Sequence, residues 1–136
     1  MNILQALAIG MLLAASLAGC AADQCPDRQA MHAHPSTHSI ELLYFDGCPN
    51  TPKMLDSLDY AVIHSAIAAS SLERTDLTTL PEDDLRRGYG SPTILVDGHD
   101  LFGASAPASP NMSCRIYPDG LPTTQAIIAK LNEYTP

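Results

Sequence analysis

Apolar residues along positions 40–136 recur with two spacings, and each spacing predicts one kind of secondary structure. A compact apolar run, or a regular alternation of apolar and polar residues, is typical of a strand. The Asp97-Gly98 pair between two such segments is a strong two-residue hairpin turn. The four predicted strands cover residues 40–45, 72–77, 93–96 and 99–102.

Three other segments carry the spacing of a helix. The first begins at Thr51, which we interpret as an N-cap with Pro52 at the first helical position, and its apolar residues continue at helical spacing as far as Ile67. The second is short and covers residues 81–87, with acidic residues at its start and arginines at its end, as the helix dipole favours. The last covers residues 122–134.

The resulting order, β-α-β-α-β-β-α, predicts an α/β fold around a central four-stranded mixed sheet. A right-handed crossover would make the first two strands a parallel pair, and a hairpin with a closing helix would form the second half. Residues 40–136 are long enough for one such domain.

The amino-terminal segment has the character of a targeting signal. Residues 3–18 are uncharged and shorter than the roughly 20 residues of a membrane-spanning helix. They end in Leu17-Ala18-Gly19-Cys20, which resembles the bacterial lipobox. The resemblance implies that residues 1–19 are a lipoprotein signal peptide and that the Cys20 thiol carries diacylglycerol, which would anchor the chain in the cell envelope. In a Gram-negative host, Ala21 favours the periplasmic side of the outer membrane. The alternative is an ordinary secretory peptide or an uncleaved anchor.

Residues 20–39 lack hydrophobic periodicity and are interpreted as a flexible tether between membrane and domain. His32, His34 and His38 lie in this segment, and short tracts rich in His can bind copper or zinc. The alternative is a solvated linker that happens to contain histidines. Cys25 either pairs with another cysteine or stays unused.

The charge balance excludes one class of partner. The chain has a net charge of −8 and only seven basic residues among its 136. Nucleic-acid binding needs clustered Lys and Arg, so no nucleic acid is expected as a partner.

The segments 42–50, 90–98, 114–117 and 120–122 together resemble a group of small bacterial thioredoxin-like proteins, some of which are labelled alkylmercury lyase. The resemblance covers nearly all of residues 40–136 and implies the thioredoxin or glutaredoxin fold. It also implies that Cys48, directly after the first strand and before the first helix, is the reactive thiol. A thiolate there is stabilised by the free N–H groups of a helix start. Thr51 replaces the second cysteine of the C-x-x-C motif, and we expect Cys48 to be accessible opposite Pro92.

The same resemblance implies roles for two further places in the chain. A cis peptide is expected at Ser91-Pro92, facing the thiol, with the Ser91 backbone free to pair with an extended substrate. The alternative is a trans proline that begins a strand. Cys114 lies in a loop that the fold brings to the same end of the sheet as Cys48. The two cysteines would then form a disulfide, act as attacking and resolving thiols, or share a soft metal ion. The alternative is a buried free cysteine.

These features leave three functions open. The first is an envelope-anchored thiol–disulfide oxidoreductase that uses Cys48, with Cys114 or an external thiol resolving the mixed disulfide. Its partners would be proteins with thiols or disulfides, or small thiols. The second is a mercury- or copper-binding lipoprotein without catalysis, in which Cys48 and Cys114 are ligands and the tether histidines assist. An organomercurial lyase, which would recruit Asp46 as a carboxylate, is a less favoured variant. The third is a degenerate thioredoxin-fold binding module that a Cys48–Cys114 disulfide merely holds together.

Overall fold

Residues 37–134 of the protein are described by a computed structural model. The predicted signal peptide, the lipidation site at Cys20, and Cys25, His32 and His34 of the predicted tether lie outside the described residues. Within residues 37–134, the helices are too short or too polar to cross a membrane.

Four strands form one mixed sheet in the order β2-β1-β3-β4. Strand β1 pairs in parallel with β2 and antiparallel with β3, and β4 is antiparallel to β3. The predicted α/β class with a central four-stranded mixed sheet is therefore confirmed. The strands are β1 (His38–Tyr44), β2 (Ala69–Asp76), β3 (Thr93–Val96) and β4 (His99–Asp100).

Two α-helices cover one face of this sheet, α1 (Thr51–His64) and α2 (Thr124–Asn132). The second predicted helix, residues 81–87, is wrong in place and type, because the chain turns at the acidic residues and then forms a 3-10 helix, Leu85–Tyr89. The Asp84 backbone is extended, and its carboxylate accepts a hydrogen bond from the Arg86 N–H at 2.9 Å. Such a side-chain bond competes with the helix at this point and moves its start to Leu85.

The two ends of the β1–α1 unit differ from the predicted boundaries. Strand β1 begins at His38, where the backbone N–H donates to the Ala68 carbonyl at 2.8 Å, so the predicted tether is too long. Helix α1 is capped by Asn50 rather than Thr51, since the Met54 N–H donates to the Asn50 carbonyl at 3.1 Å. Cys48 therefore lies two residues before the N-cap.

The alternation of side chains along β1 divides the core between the two faces of the sheet. Ile40 and Leu42 face the helices, whereas Leu43 packs on the opposite face beneath the 3-10 segment with Leu77 and Leu95. Burial on both faces fixes the register of β1 and β3, because a slip by one residue would exchange the faces. The helix-side cluster comprises Ile40, Leu42, Met54, Leu58, Ala61, Ile67, Ile94, Val96, Leu101, Ile127 and Leu131.

Candidate functional site

Three chain segments meet at one end of the sheet, where β1 ends and β3 begins. Strands β1 and β3 are antiparallel with Leu43 opposite Thr93, so the loop after β1 lies beside the residues before β3. The third segment joins through a single parallel bridge between Ser91 and Cys114. Both cysteines of the domain are therefore brought to the same place by the sheet register and this bridge.

Cys48 occupies a tight turn between β1 and α1. Its backbone N–H donates to the Phe45 carbonyl at 3.2 Å, and its carbonyl accepts from the Thr51 N–H at 3.1 Å. Only 1% of the residue is exposed, and its thiol donates to the Ser91 carbonyl at 3.0 Å. The expectation of an accessible Cys48 is therefore wrong, because the chain before β3 covers the sulfur.

A closed cycle of hydrogen bonds fixes the loop over Cys48. The Phe45 N–H donates to Ser91 Oγ at 3.0 Å, and the Thr51 hydroxyl donates to the Phe45 carbonyl at 3.2 Å. The two hydroxyls lie 3.1 Å apart, and since each has one proton, Ser91 is the donor in that bond. Thr51, in the fourth position of the C-x-x-T sequence, thus holds the turn rather than supplying a second thiol.

The Ser91–Pro92 peptide is cis, as expected from the sequence. The Ser91 backbone is nevertheless not free to pair with a substrate, and that expectation is wrong. Its N–H donates to the Ser113 carbonyl at 2.9 Å, and its carbonyl accepts from the Arg115 N–H at 2.8 Å. Residues 113–115 of the same chain occupy the edge that an external strand was expected to use.

Cys114 is the exposed member of the cysteine pair. Both cysteines are free thiols, and both adjoin Ser91, Cys48 through its thiol and Cys114 through the parallel bridge. The hydrogen bond to Cys48 is the main reason that the pKa of the Cys114 thiol is raised above its ordinary value, and burial and the charge of Cys48 add to the effect. The structure thus brings together the two cysteines, one buried and one at the surface.

Arg115 and Tyr117 hold the Cys114 segment against the domain. The Arg115 guanidinium forms an ion pair with the buried carboxylate of Asp100 and lies 4.3 Å from the centre of the Tyr117 ring. The Tyr117 hydroxyl donates to the Pro92 carbonyl at 2.9 Å, and burial raises the pKa of this hydroxyl to about 12. Sequence reasoning missed these roles. The alternation of Arg115 and Tyr117 in an extended segment is the signal that would have pointed to them.

His38, predicted as a metal ligand of the tether, belongs to strand β1 instead. Its Nδ1 lies 2.6 Å from Asp97 Oδ2, and its ring packs edge-on against Tyr134. The length of β1 separates it from Cys48 by roughly 20 Å, so it does not join the thiols. Among residues 37–134, no cluster of three or more His, Cys, Asp or Glu side chains is arranged to hold a metal ion.

A shallow cavity of about 480 Å³ lies beside the Cys114 segment. Tyr117 contributes to its wall and at the same time binds the Pro92 carbonyl, so the cavity and the cysteine site share this side chain. The lining is Phe102, Tyr117, Pro118, Asp119, Gly120, Leu121, Pro122, Thr123 and Ala126.

No family model, curated protein or solved structure matches the chain. The family resemblance therefore stays a prediction, and the function has to be argued from the two cysteines and their surroundings.

Proposed function

We propose that the protein is a thioredoxin-like thiol–disulfide oxidoreductase in which Cys48 and Cys114 interconvert between a dithiol and a disulfide. The observation that carries the proposal is that the buried Cys48 and the exposed Cys114 both adjoin Ser91, the first through its hydrogen bond to the Ser91 carbonyl and the second through the parallel bridge. A disulfide requires two sulfurs that approach to about 2 Å. Because one residue positions both cysteines, joining their sulfurs needs a local movement rather than a rearrangement of the sheet.

The architecture supports the thioredoxin-like part of the proposal. A four-stranded mixed sheet, a cysteine between β1 and α1, and a cis proline before β3 are the combination that the sequence resemblance implied. The reactive group would then lie at the carboxyl end of β1, where the loop to α1 leaves the sheet.

The chemistry is a two-electron exchange. Two partner thiols become one partner disulfide, and the Cys48–Cys114 disulfide becomes two thiols, so two electrons and two protons pass to the protein. The exchange runs through a mixed disulfide, and in the reverse reaction the protein dithiol reduces a partner disulfide to two thiols. No metal or organic cofactor takes part in these steps.

The test is a redox titration of the full-length chain in detergent. The chain carries Cys25→Ser, so that this cysteine does not compete with Cys48 and Cys114. The protein is equilibrated in glutathione and dithiothreitol buffers, alkylated and weighed by mass spectrometry. We expect both thiols to be lost in a single two-electron transition, and Cys48→Ser or Cys114→Ser to abolish it. Independent alkylation of the two thiols at every potential would refute the proposal. A disulfide that opens only below about −300 mV would indicate a structural bridge instead.

Soft-metal binding is the second candidate, and the same placement of the cysteines favours it. Two neighbouring cysteines, without a third His, Cys, Asp or Glu ligand grouped with them in residues 37–134, suit an ion with two-coordinate geometry, such as Cu(I) or Hg(II). Titration with Cu(I) or Hg(II) under reducing conditions would distinguish it. One tightly bound ion per chain, lost in either cysteine variant, together with failure of the disulfide transition, would favour this function.

We further propose that the protein is anchored to the cell envelope through Cys20. The proposal is supported by the lipobox-like Leu17-Ala18-Gly19-Cys20 at the end of an uncharged apolar segment. Radioactive palmitate should label the wild-type protein in a bacterial host and should not label Cys20→Ala. Equal labelling of both proteins would contradict the assignment.

A further inference from the structure

The two sulfurs of the pair differ sharply in how a partner can reach them. Only 1% of Cys48 is exposed, since the turn after β1 and the Ser91 carbonyl enclose it. Cys114, by contrast, is exposed. A molecule that approaches from solvent therefore meets the Cys114 sulfur first.

The segment around Cys114 also has two distinct sides. Arg115 and Tyr117 point inward, to Asp100 and the Pro92 carbonyl. Residues that alternate with them in an extended chain face outward. Met112 and Ile116 are accordingly exposed, the latter by 89%. Two apolar side chains thus flank the accessible thiol.

The outer backbone edge of this segment is unpaired. The Ser113 carbonyl and the Arg115 N–H are both bonded to Ser91, on the inner edge. The N–H and carbonyl of Cys114 point to the opposite edge and have no hydrogen-bond partner within residues 37–134. Such an edge can accept an extended peptide as an added strand, with main-chain hydrogen bonds for affinity and side-chain contacts for selectivity.

We infer that Cys114, rather than Cys48, is the sulfur that bonds to the partner, and that the partner is an extended polypeptide segment whose cysteine has apolar neighbours. The inference rests on the proposed disulfide exchange and specifies the partner and the order of its steps. Met112 and Ile116 receive the partner's apolar side chains, and the free backbone groups of Cys114 pair with its main chain.

In the oxidised protein, the partner thiolate attacks the Sγ of Cys114. A partner–Cys114 disulfide forms, the Cys48–Cys114 bond breaks, and its electron pair passes to the Cys48 sulfur, which takes up a proton. The neutral Cys48 thiol then donates a hydrogen bond to the Ser91 carbonyl, and this bond measures 3.0 Å in the structure with free thiols. A second partner thiol attacks the partner's sulfur and releases Cys114, which also takes up a proton. The partner disulfide and the protein dithiol are the products.

The order of the sulfurs is tested with single-cysteine proteins in the Cys25→Ser background. The neutral probe 4,4′-dithiodipyridine is added to the folded Cys48→Ser and Cys114→Ser variants. We expect Cys114 to react rapidly and Cys48 to react at least about 100-fold more slowly, because a buried thiol reacts only when the structure opens. Comparable rates, or a faster Cys48, would overturn the assignment.

Two controls keep this test decisive. Denaturation in guanidinium must make both thiols react alike. If a serine variant fails to fold, the reduced Cys25→Ser protein is given less than one equivalent of probe, and peptide mapping locates the first label. Label on Cys114 supports the inference, and label on Cys48 contradicts it.

The partner surface is tested with Ile116→Ser, and Ile63→Ser is the matched control because Ile63 is 78% exposed but lies on α1. Both proteins are oxidised and mixed with a peptide that has Leu on either side of one cysteine, or with glutathione. Ile116→Ser should slow the peptide reaction about fivefold and leave the glutathione reaction unchanged. Ile63→Ser should change neither. Equal peptide rates in the two variants would refute the partner surface alone, whereas absence of reaction with any thiol would refute the proposed function itself.

Discussion

Arg115, the residue after the exposed Cys114, forms an ion pair with the carboxylate of Asp100, whose side chain is wholly buried. Asp100 also accepts hydrogen bonds from the Phe102 N–H at 2.8 Å and the Ala104 N–H at 3.0 Å. The β3–β4 hairpin is thus tied to the segment that carries the accessible Cys114 thiol. Moving the segment away would leave the Asp100 carboxylate buried without its counter-charge, so the ion pair holds the segment in place.

We expect Asp100→Asn to lower the free energy of unfolding by about 3 kcal/mol, since it leaves the mostly buried Arg115 without its counter-charge. Urea denaturation measures the change. Asp59→Asn is the control, because the Asp59–Arg74 pair is about half exposed and should contribute less than about 1 kcal/mol. Similar losses in the two variants would show that the Asp100 pair does not anchor the segment.

Thr51→Val should loosen the turn over Cys48. The variant keeps the shape of the side chain but leaves the Ser91 hydroxyl and the Phe45 carbonyl without their bonds to Thr51. We expect a loss of about 1–2 kcal/mol in the free energy of unfolding and faster alkylation of Cys48 in the native protein. Thr79→Val removes an exposed hydroxyl bond to the Asp76 carbonyl and serves as the control. Unchanged Cys48 protection in Thr51→Val would contradict the role of the cycle.

Cys48 should affect the reactivity of Cys114 by raising the pKa of the Cys114 thiol. The hydrogen bond to Cys48 raises the pKa of the Cys114 thiol, so less thiolate is present at any given pH. In Cys48→Ala, we expect the pH profile of Cys114 alkylation by iodoacetamide to shift to lower pH, with faster reaction at neutral pH. The profile is measured from pH 6 to 11 in the Cys25→Ser background. A shift to higher pH, or none, would show that Cys48 does not raise the pKa of this thiol.

The contact between His38 and Asp97 should appear in the acid stability of the domain. The hydrogen bond from His38, followed by that from the Ser39 N–H, lowers the pKa of Asp97 below its usual 3.8. A depressed pKa adds stability that is present above the unfolded-state value and is lost as the pH falls through the folded-state value. Because the Asp97 side chain is 45% exposed, screening limits the effect to less than about 1 kcal/mol.

The corresponding variant is Asp97→Asn, since asparagine tolerates the positive φ of 51° at this position. Its thermal stability should fall less steeply than that of the wild type as the pH drops below 3.8, the usual pKa of an aspartate, because the wild type loses the contribution of Asp97 there. Asp56→Asn, which changes an exposed carboxylate on α1, should follow the wild-type curve. Parallel curves for all three proteins would exclude a contribution from the His38–Asp97 pair.

The strands and both α-helices were predictable because their signals are local. Period-two and period-3.6 spacing in a short stretch of chain is enough to choose between strand and helix. The Asp97-Gly98 turn likewise depends on two adjacent residues, and it joins β3 and β4 as predicted. The 81–87 helix failed because the Asp84 side chain binds a nearby backbone N–H, a competition that apolar spacing does not register.

The sequence alone determined where each cysteine lies relative to the strands and that a proline precedes β3. Tertiary structure decided which sulfur a partner can touch. Cys48 is enclosed by Ser91, which is 43 positions away in the chain, and Ser91 in turn is paired with residues 113–115. Burial and pairing of this kind depend on contacts between distant segments, and the free energy that decides them arises only when the sheet has assembled.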